Sequence, residues 1–380
     1  MPNFSGVWNL KDQVQAIAAG RWTGLPLYEL YAWGFNGSGQ LGDNSTVNKS
    51  SPVQIGALVD WHQASAGTDF AAAIKEDGSI WTWGGNTSGQ LGDGAAIAKS
   101  SPAQIGALLT WDSVSCGSSH TSSIKTDGTL WAWGNNTRGK LGDGTAISKS
   151  SPVQVGALTN WGQVSSGSDV TAAVKSNNTL WSWGYNEFGE VGDNTIVARS
   201  SPVQIGALTT WAQVSTRGSS SFAVKTDGTL WSWGRNNTGQ LGQNNLLNLS
   251  SPVQVGALTV WAYVSAGGNH AAAVKTDGTL WVWGQNQNGQ LGDNTAVNKS
   301  SPIQVGALTN WSDVSAAGTR CGAIKTDGTL WAWGYNTHGQ VGDNTVVFRS
   351  SPVQVGNLTS WNQLSATNFF TVAIFQGSSN

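Results

Sequence analysis

A Trp-Gly pair stands at Trp33, Trp83, Trp133, Trp183, Trp233, Trp283 and Trp333, and a proline at Pro52, Pro102, Pro152, Pro202, Pro252, Pro302 and Pro352. The chain therefore repeats itself every 50 residues with no insertion or deletion in the register. Self-similarity at such a period marks units that bury their apolar faces on their neighbours. A chain of 380 residues written this way is a set of units, not one globule.

The units read as β structure. Charged residues make up only 11% of a chain holding 50 glycines and 22 tryptophans, a mixture suited to short strands, tight turns and large apolar wedges. In the second copy, strands are expected at residues 61–66, 71–75, 80–84 and 103–106, with the turn EDGS between the second and third. Glycine in that turn supplies a positive φ, and in the one copy reading SNNT an asparagine takes its place. Four strands per unit make one propeller blade. Trp81 and Trp83, two apart, share a face, while Thr82 and its small counterparts face the next blade. Small residues crowd the second strand (AAAIK, TSSIK, TAAVK), which places it near the axis where blades converge.

The two ends complete each other. The first unit starts at LYELYAWG without the two strands that precede every later Trp-Gly, and the chain finishes with WNQLSATNFFTVAIF, which supplies them. The expected fold is all-β, a seven-bladed β-propeller closed by a blade built from both ends. Residues 1–27 form a docking segment, residues 28–375 the propeller and residues 376–380 a short tail.

The pattern LWxWGxNxxGQLGD, then SSPxQVG, then WxxVSAGxxHxxAVKTDG resembles the regulator of chromosome condensation 1 repeat over residues 28–375. Kelch repeats have a similar period but a different placement of glycine and aromatic residues. The resemblance implies a seven-bladed propeller. The family's eukaryotic namesake is a nucleotide-exchange factor for a small GTPase and a chromatin binder. This chain departs from it in its near-identical blades, and in lacking a loop insertion and a basic tail, so the exchange activity is not carried over. The opening FSGVWNLKDQVQAIAAGRW resembles the leaders of bacteriophage virion proteins, which implies attachment to a particle. Within it Trp8, Leu10 and Trp22 are the candidate anchor.

Chemistry does not assemble in the sequence. His62, His120, His270 and His338 fall in different columns of the repeat, and no nucleophile or carboxylate stands at motif spacing to them. No catalytic, metal-binding or cofactor-binding residue is named, and no cofactor is expected. Each blade but one offers a single loop acid (Asp43, Asp93, Asp143, Asp193, Asp293, Asp343), too few oxygens for calcium. Where that acid becomes Gln243, the basic residue six positions on becomes Leu249, which predicts an Asp to Lys or Arg pair in the other loops. An aliphatic residue beside it (Val47, Ile97, Ile147, Val197, Leu247, Val297, Val347) is expected to pin the loop to its blade. Cys116 and Cys321 read as small buried residues rather than a disulfide. A net charge of -2 gives no footprint for nucleic acid, and no apolar run is long enough to span a bilayer.

Strand direction separates two faces. On the face of the long loops, sequence varies in two columns, and Phe35, Tyr185, Arg235 and Tyr335 with Phe70, His120, His270 and Arg320 form the candidate recognition face. The reading is a non-enzymatic virion or tail-associated protein, made in a host cytoplasm. Its leader docks on a neighbouring virion protein, and its propeller faces a host-surface protein or glycan. The alternative is a soluble cytoplasmic interaction propeller, a scaffold or an exchange factor.

Overall fold

The computed structural model describes residues 27–377. These form strands β1 to β28 in chain order, arranged as seven four-stranded antiparallel sheets around a central channel. The blade after the first long loop runs β3 (Trp61–Ala66), β4 (Phe70–Lys75), β5 (Ile80–Gly84) and β6 (Lys99–Gln104). Three strands lie where the sequence placed them. The fourth starts earlier than expected, at Lys99 rather than residue 103, and carries Pro102 in its middle. It can do so because it is the outer edge of the blade, where a missing N–H costs no ladder bond and the proline discourages pairing with another chain.

The strand against the axis is also not the expected one. The channel is lined by Ala64, Ser65 and Ala66 and their counterparts, from the first strand of each blade. The second strand, with its small residues, lies one layer out and is buried on both sides, as the burial of all six residues of His120–Lys125 shows. Small side chains there let two blades approach a strand from both faces.

The last blade is built from both ends, in the order β2 (Lys49–Gln54), β1 (Leu27–Gly34), β28 (Phe370–Gly377) and β27 (Trp361–Ala366). β1 and β28 pair without interruption from Leu27 against Gly377 to Gly34 against Phe370. Both described ends therefore lie on the face of the GALT turns, opposite the long loops.

The apolar core sits between blades. One cluster joins Phe70, Ile74, Ile80 and Leu91 to Trp111, Val114 and Trp133 of the next blade, and the others repeat this arrangement. Trp83, fully buried, reaches back across such a junction and donates its indole N–H to the Gln40 carbonyl at 2.9 Å. Gly42 has to be glycine there, since its φ is +78° and a Cβ would stand 2.8 Å from that indole nitrogen. In the EDGS turn, Gly78 has φ +77° and Asn178 takes φ 61° in the SNNT copy, as the turn chemistry required.

Candidate functional site

The long loops are held by one buried asparagine each. Asn136 donates through Nδ2 to Asp143 Oδ1 at 2.9 Å and to the carbonyls of Thr145 and Ile147, both at 3.2 Å, and its Oδ1 accepts the Leu141 N–H at 2.9 Å. Asp143 then faces Lys149, and the same pairing joins Asp43 to Lys49, Asp93 to Lys99, Asp193 to Arg199, Asp293 to Lys299 and Asp343 to Arg349. The pair read from the joint change at Gln243 and Leu249 is thus present in the six other loops. Burial works against the Asp143 carboxylate, yet bonds from Thr145 and Asn136 and the Lys149 charge hold it below the ordinary carboxylate range.

The aliphatic column does not pin the loop. Its side chains are exposed, from 57% at Val197 and Val347 to 72% at Ile97. The polar knot around the asparagine leaves the aliphatic group no apolar surface to cover. The loop is instead fixed to the next blade, where the Asn44 N–H donates to the Ser100 carbonyl at 2.8 Å.

On this rigid loop face the variable side chains are paired across blade junctions. The Arg138 guanidinium stacks over the Tyr185 ring at 3.8 Å, and Arg235 lies over Phe188 at 5.0 Å. Phe35 meets His338 of the preceding blade at 5.0 Å, while within single blades Phe35 meets Phe369 at 6.0 Å and Tyr335 meets the exposed Phe348 of its own loop at 4.8 Å. In the repeat, residue 38 of one unit faces residue 35 of the next. Bulk coincides at both positions in three of the seven junctions, Arg138 with Tyr185, Phe188 with Arg235 and His338 with Phe35, whereas Ser38 and Gly85 are small together and Tyr335 faces only Asn288. Arg138 also has φ 68°, a left-handed conformation that costs a non-glycine residue on the order of 1 kcal/mol and that its stacking on Tyr185 offsets. Phe35, Tyr185, Arg235 and Tyr335 are half-buried, with their pairing partners on the loop surface.

The second expected column is a correction. Phe70, His120, His270 and Arg320 are buried and take no part in the exposed face. Each opens a strand rather than ending a turn, because the N–H of the residue three earlier bonds its carbonyl, and its side chain points into the junction with the next blade. His120 Nε2 lies 2.9 Å from Thr171 Oγ1, and His270 Nε2 lies 3.2 Å from Cys321 Sγ. Burial, aided by the Lys140 and Arg217 charges respectively, pushes the two imidazoles down to about 3 and about 4. Arg320 donates to the carbonyls of Thr367 at 2.7 Å and Gln340 at 2.9 Å, to the Phe370 carbonyl at 2.5 Å and to Thr371 Oγ1 at 2.7 Å. Burial pushes its guanidinium down to about 9. Cys116 and Cys321 are both free and buried.

The central channel is a feature that sequence reasoning missed. Ser65, Ser115, Ser165, Ser215, Ser265, Ser315 and Ser365 line it, and each hydroxyl oxygen accepts a main-chain N–H from the inner strand of the next blade at 2.9 to 3.0 Å. The signal was present as a serine unchanged in every copy. Where the channel meets the loop face, the glycine of most copies becomes Arg217, at the end of β15 (Trp211–Arg217), and its Nη1 crosses the axis to the Ala366 carbonyl at 3.0 Å.

Among the described residues no group of three or more His, Cys, Asp or Glu is placed to hold a metal ion. His62 is exposed at the start of β3, on the face of the GALT turns, 3.4 Å from Glu76, and His338 lies on the loop face. Trp8, Leu10 and Trp22 lie outside the described residues.

The RCC1-like domain family matches residues 2–263, and the regulator of chromosome condensation (RCC1) repeat matches residues 261–290, 277–324 and 327–374. This chain belongs to the RCC1-like family. No curated protein sequence matches it. Three solved structures of similar RCC1-like shape fix the fold. Human WBSCR16 is 21% identical with a TM-score of 0.84, covering 92% of this chain and 99% of its own. Yeast RCC1 (Prp20) bound to Kap60 is 18% identical with a TM-score of 0.83, covering 94% and 91%. Prp20p of Saccharomyces cerevisiae is 19% identical with a TM-score of 0.85, covering 94% of each. The RCC1-like propeller here shares their architecture, and its loop face carries its own paired side chains.

Proposed function

We propose that this RCC1-like propeller is a non-enzymatic interaction module that engages a protein partner through its loop face. The observation that carries this is the coincidence of bulk across blade junctions at Arg138 with Tyr185, Phe188 with Arg235, and His338 with Phe35. In a scaffold that repeats almost everything else, these side chains form two aromatic and cationic arcs on rigid loops, the residue types that dominate protein interfaces. Yeast Prp20 was solved with Kap60 bound, and its binding to Gsp1p and histones has been described, which agrees with the reading.

The test is affinity purification from the source cell of the wild-type chain and of a loop-face variant, Tyr185→Ser with Arg235→Ser and Tyr335→Ser. A protein partner that is retained by the wild type and by Leu308→Ser on the opposite face, and lost with the triple variant, supports the reading. Retention by the triple variant contradicts it.

A narrower setting, a virion or tail-associated component displaying this face to a host-surface protein or glycan, is supported by the leader FSGVWNLKDQVQAIAAGRW. In that setting Trp8, Leu10 and Trp22 contact a neighbouring virion protein, and β1 begins at Leu27 on the face opposite the long loops. Mass spectrometry of purified particles tests it, since a chain absent from particles and found only in cytoplasm belongs to a cytoplasmic interaction propeller.

A further inference from the structure

We infer that the mouth of the central channel, beside Arg217, binds a small oxyanion of carboxylate or phosphate type. Arg217 occupies the position that is Gly67, Gly117, Gly167 and Gly267 in other blades, and its side chain extends over the channel until Nη1 meets the Ala366 carbonyl on the far wall at 3.0 Å. A guanidinium has five N–H donors in a planar fork. Among the described residues this one contact is the hydrogen bond that Arg217 makes, and no carboxylate lies within ion-pair distance of it. Its charged neighbourhood is of the same sign, since it acts on the buried Arg320 and on His270. Arg320 is itself held by four protein oxygens and has no acid of its own among the described residues.

The channel wall adds donors. Gln213, Ser215 and Arg217 alternate along β15, so all three side chains point to the axis, with the Cα atoms of Ser215 and Arg217 about 7 Å apart along the strand. Every serine hydroxyl of that ring accepts an N–H from the next blade, so its own proton remains to be donated. Among the described residues, none of them gives that proton to a protein acceptor. The channel has a volume of about 200 Å³, room for a small solute. Of the acids on the inner strands, Asp112 is exposed on the side of its strand away from the channel-lining Ser115, and Asp313 stands four residues from the mouth position of its own strand, toward the opposite face. A half-buried cation with a free bidentate edge, a second cation behind it and converging hydroxyl donors is the constellation that recognises a planar or tetrahedral oxyanion.

The probe is inorganic phosphate, titrated into the full-length protein at constant ionic strength balanced with sodium chloride and read by thermal unfolding and calorimetry. Sulfate and acetate arms separate a phosphate-type source from a carboxylate one. A saturable rise in Tm with any of the three, absent from Arg217→Gly, supports the site, and Arg217→Gly restores the residue of the neighbouring blades so that the propeller is expected to fold. No saturable response in the wild type, or the same response in the variant, overturns it. If the variant fails to fold, crystals of the wild type soaked in selenate decide. An anomalous peak at the channel mouth within reach of Arg217 supports the site, and peaks confined to other surfaces overturn it.

Discussion

Ser365 Oγ accepts the main-chain N–H of Ala66 at 3.0 Å, across a separation of 299 residues. The bond repeats one made at each internal junction, such as Ser65 to Cys116 at 2.9 Å. The ring therefore closes with the same contact that joins any two blades. Ser365→Ala should cost about 1 kcal/mol, the net loss expected when one partner of a hydrogen bond is removed, and Ser115→Ala should cost the same. Chemical denaturation of the two variants checks this, and a much larger loss at the closing junction would show that closure depends on something the other junctions lack.

The blade without the loop ion pair offers a second test. Gln243 donates to Ser232 Oγ and to the Val253 carbonyl, both at 3.1 Å, in place of the missing contact with a base. Gln243→Asp alone should destabilise, because it loses those bonds and gains no cation. Adding Leu249→Lys should recover stability by no more than about 1 kcal/mol, since the six natural pairs are partly exposed. The recovery should shrink in high salt, which a double-mutant cycle at two ionic strengths measures.

Glu190 gives a pH dependence. It takes the place of the buried glutamine found at Gln40, Gln90, Gln240, Gln290 and Gln340, and its Oε1 has no partner among the described residues. Burial first, and the Glu187 charge as well, raise its carboxyl above the ordinary glutamate range against the backbone bonds that lower it. A carboxyl whose pKa is higher folded than unfolded contributes stability that is present at low pH and lost as pH rises through the folded value. Glu190→Gln should therefore raise Tm at pH 8 relative to the wild type and leave it nearly unchanged at pH 4. Thermal scans across that range check the sign.

Much of the fold was legible because a repeat displays its constraints in parallel. The turn glycines, the split blade and the Asp to Lys pair all follow from comparing copies. The errors came where composition replaced comparison. The alanines of AAAIK suggested the axis, but small side chains also suit a strand wedged between two blades, and the unvarying serine just before Ala66 marks the strand that lines the channel. Phe70, His120, His270 and Arg320 looked like surface variation. Their partners in the next blade, such as Thr171, Cys321 and Thr371, vary too, because each junction must fill the space that its neighbour leaves. Of the candidate face, Phe35, Tyr185, Arg235 and Tyr335 lie on loops where such packing is one-sided.

Site-specific photocrosslinking in the source cell tests the central claim most directly. A photoreactive residue is placed in turn at Tyr185 and Tyr335 on the loop face, and at Leu158 and Leu308, which are exposed in the turns of the opposite face. One protein crosslinked from both loop-face positions, and lost when Arg138→Ser and Arg235→Ser are introduced, is the predicted result. A partner crosslinked from Leu158 and Leu308 while the loop-face positions stay unreacted would contradict it.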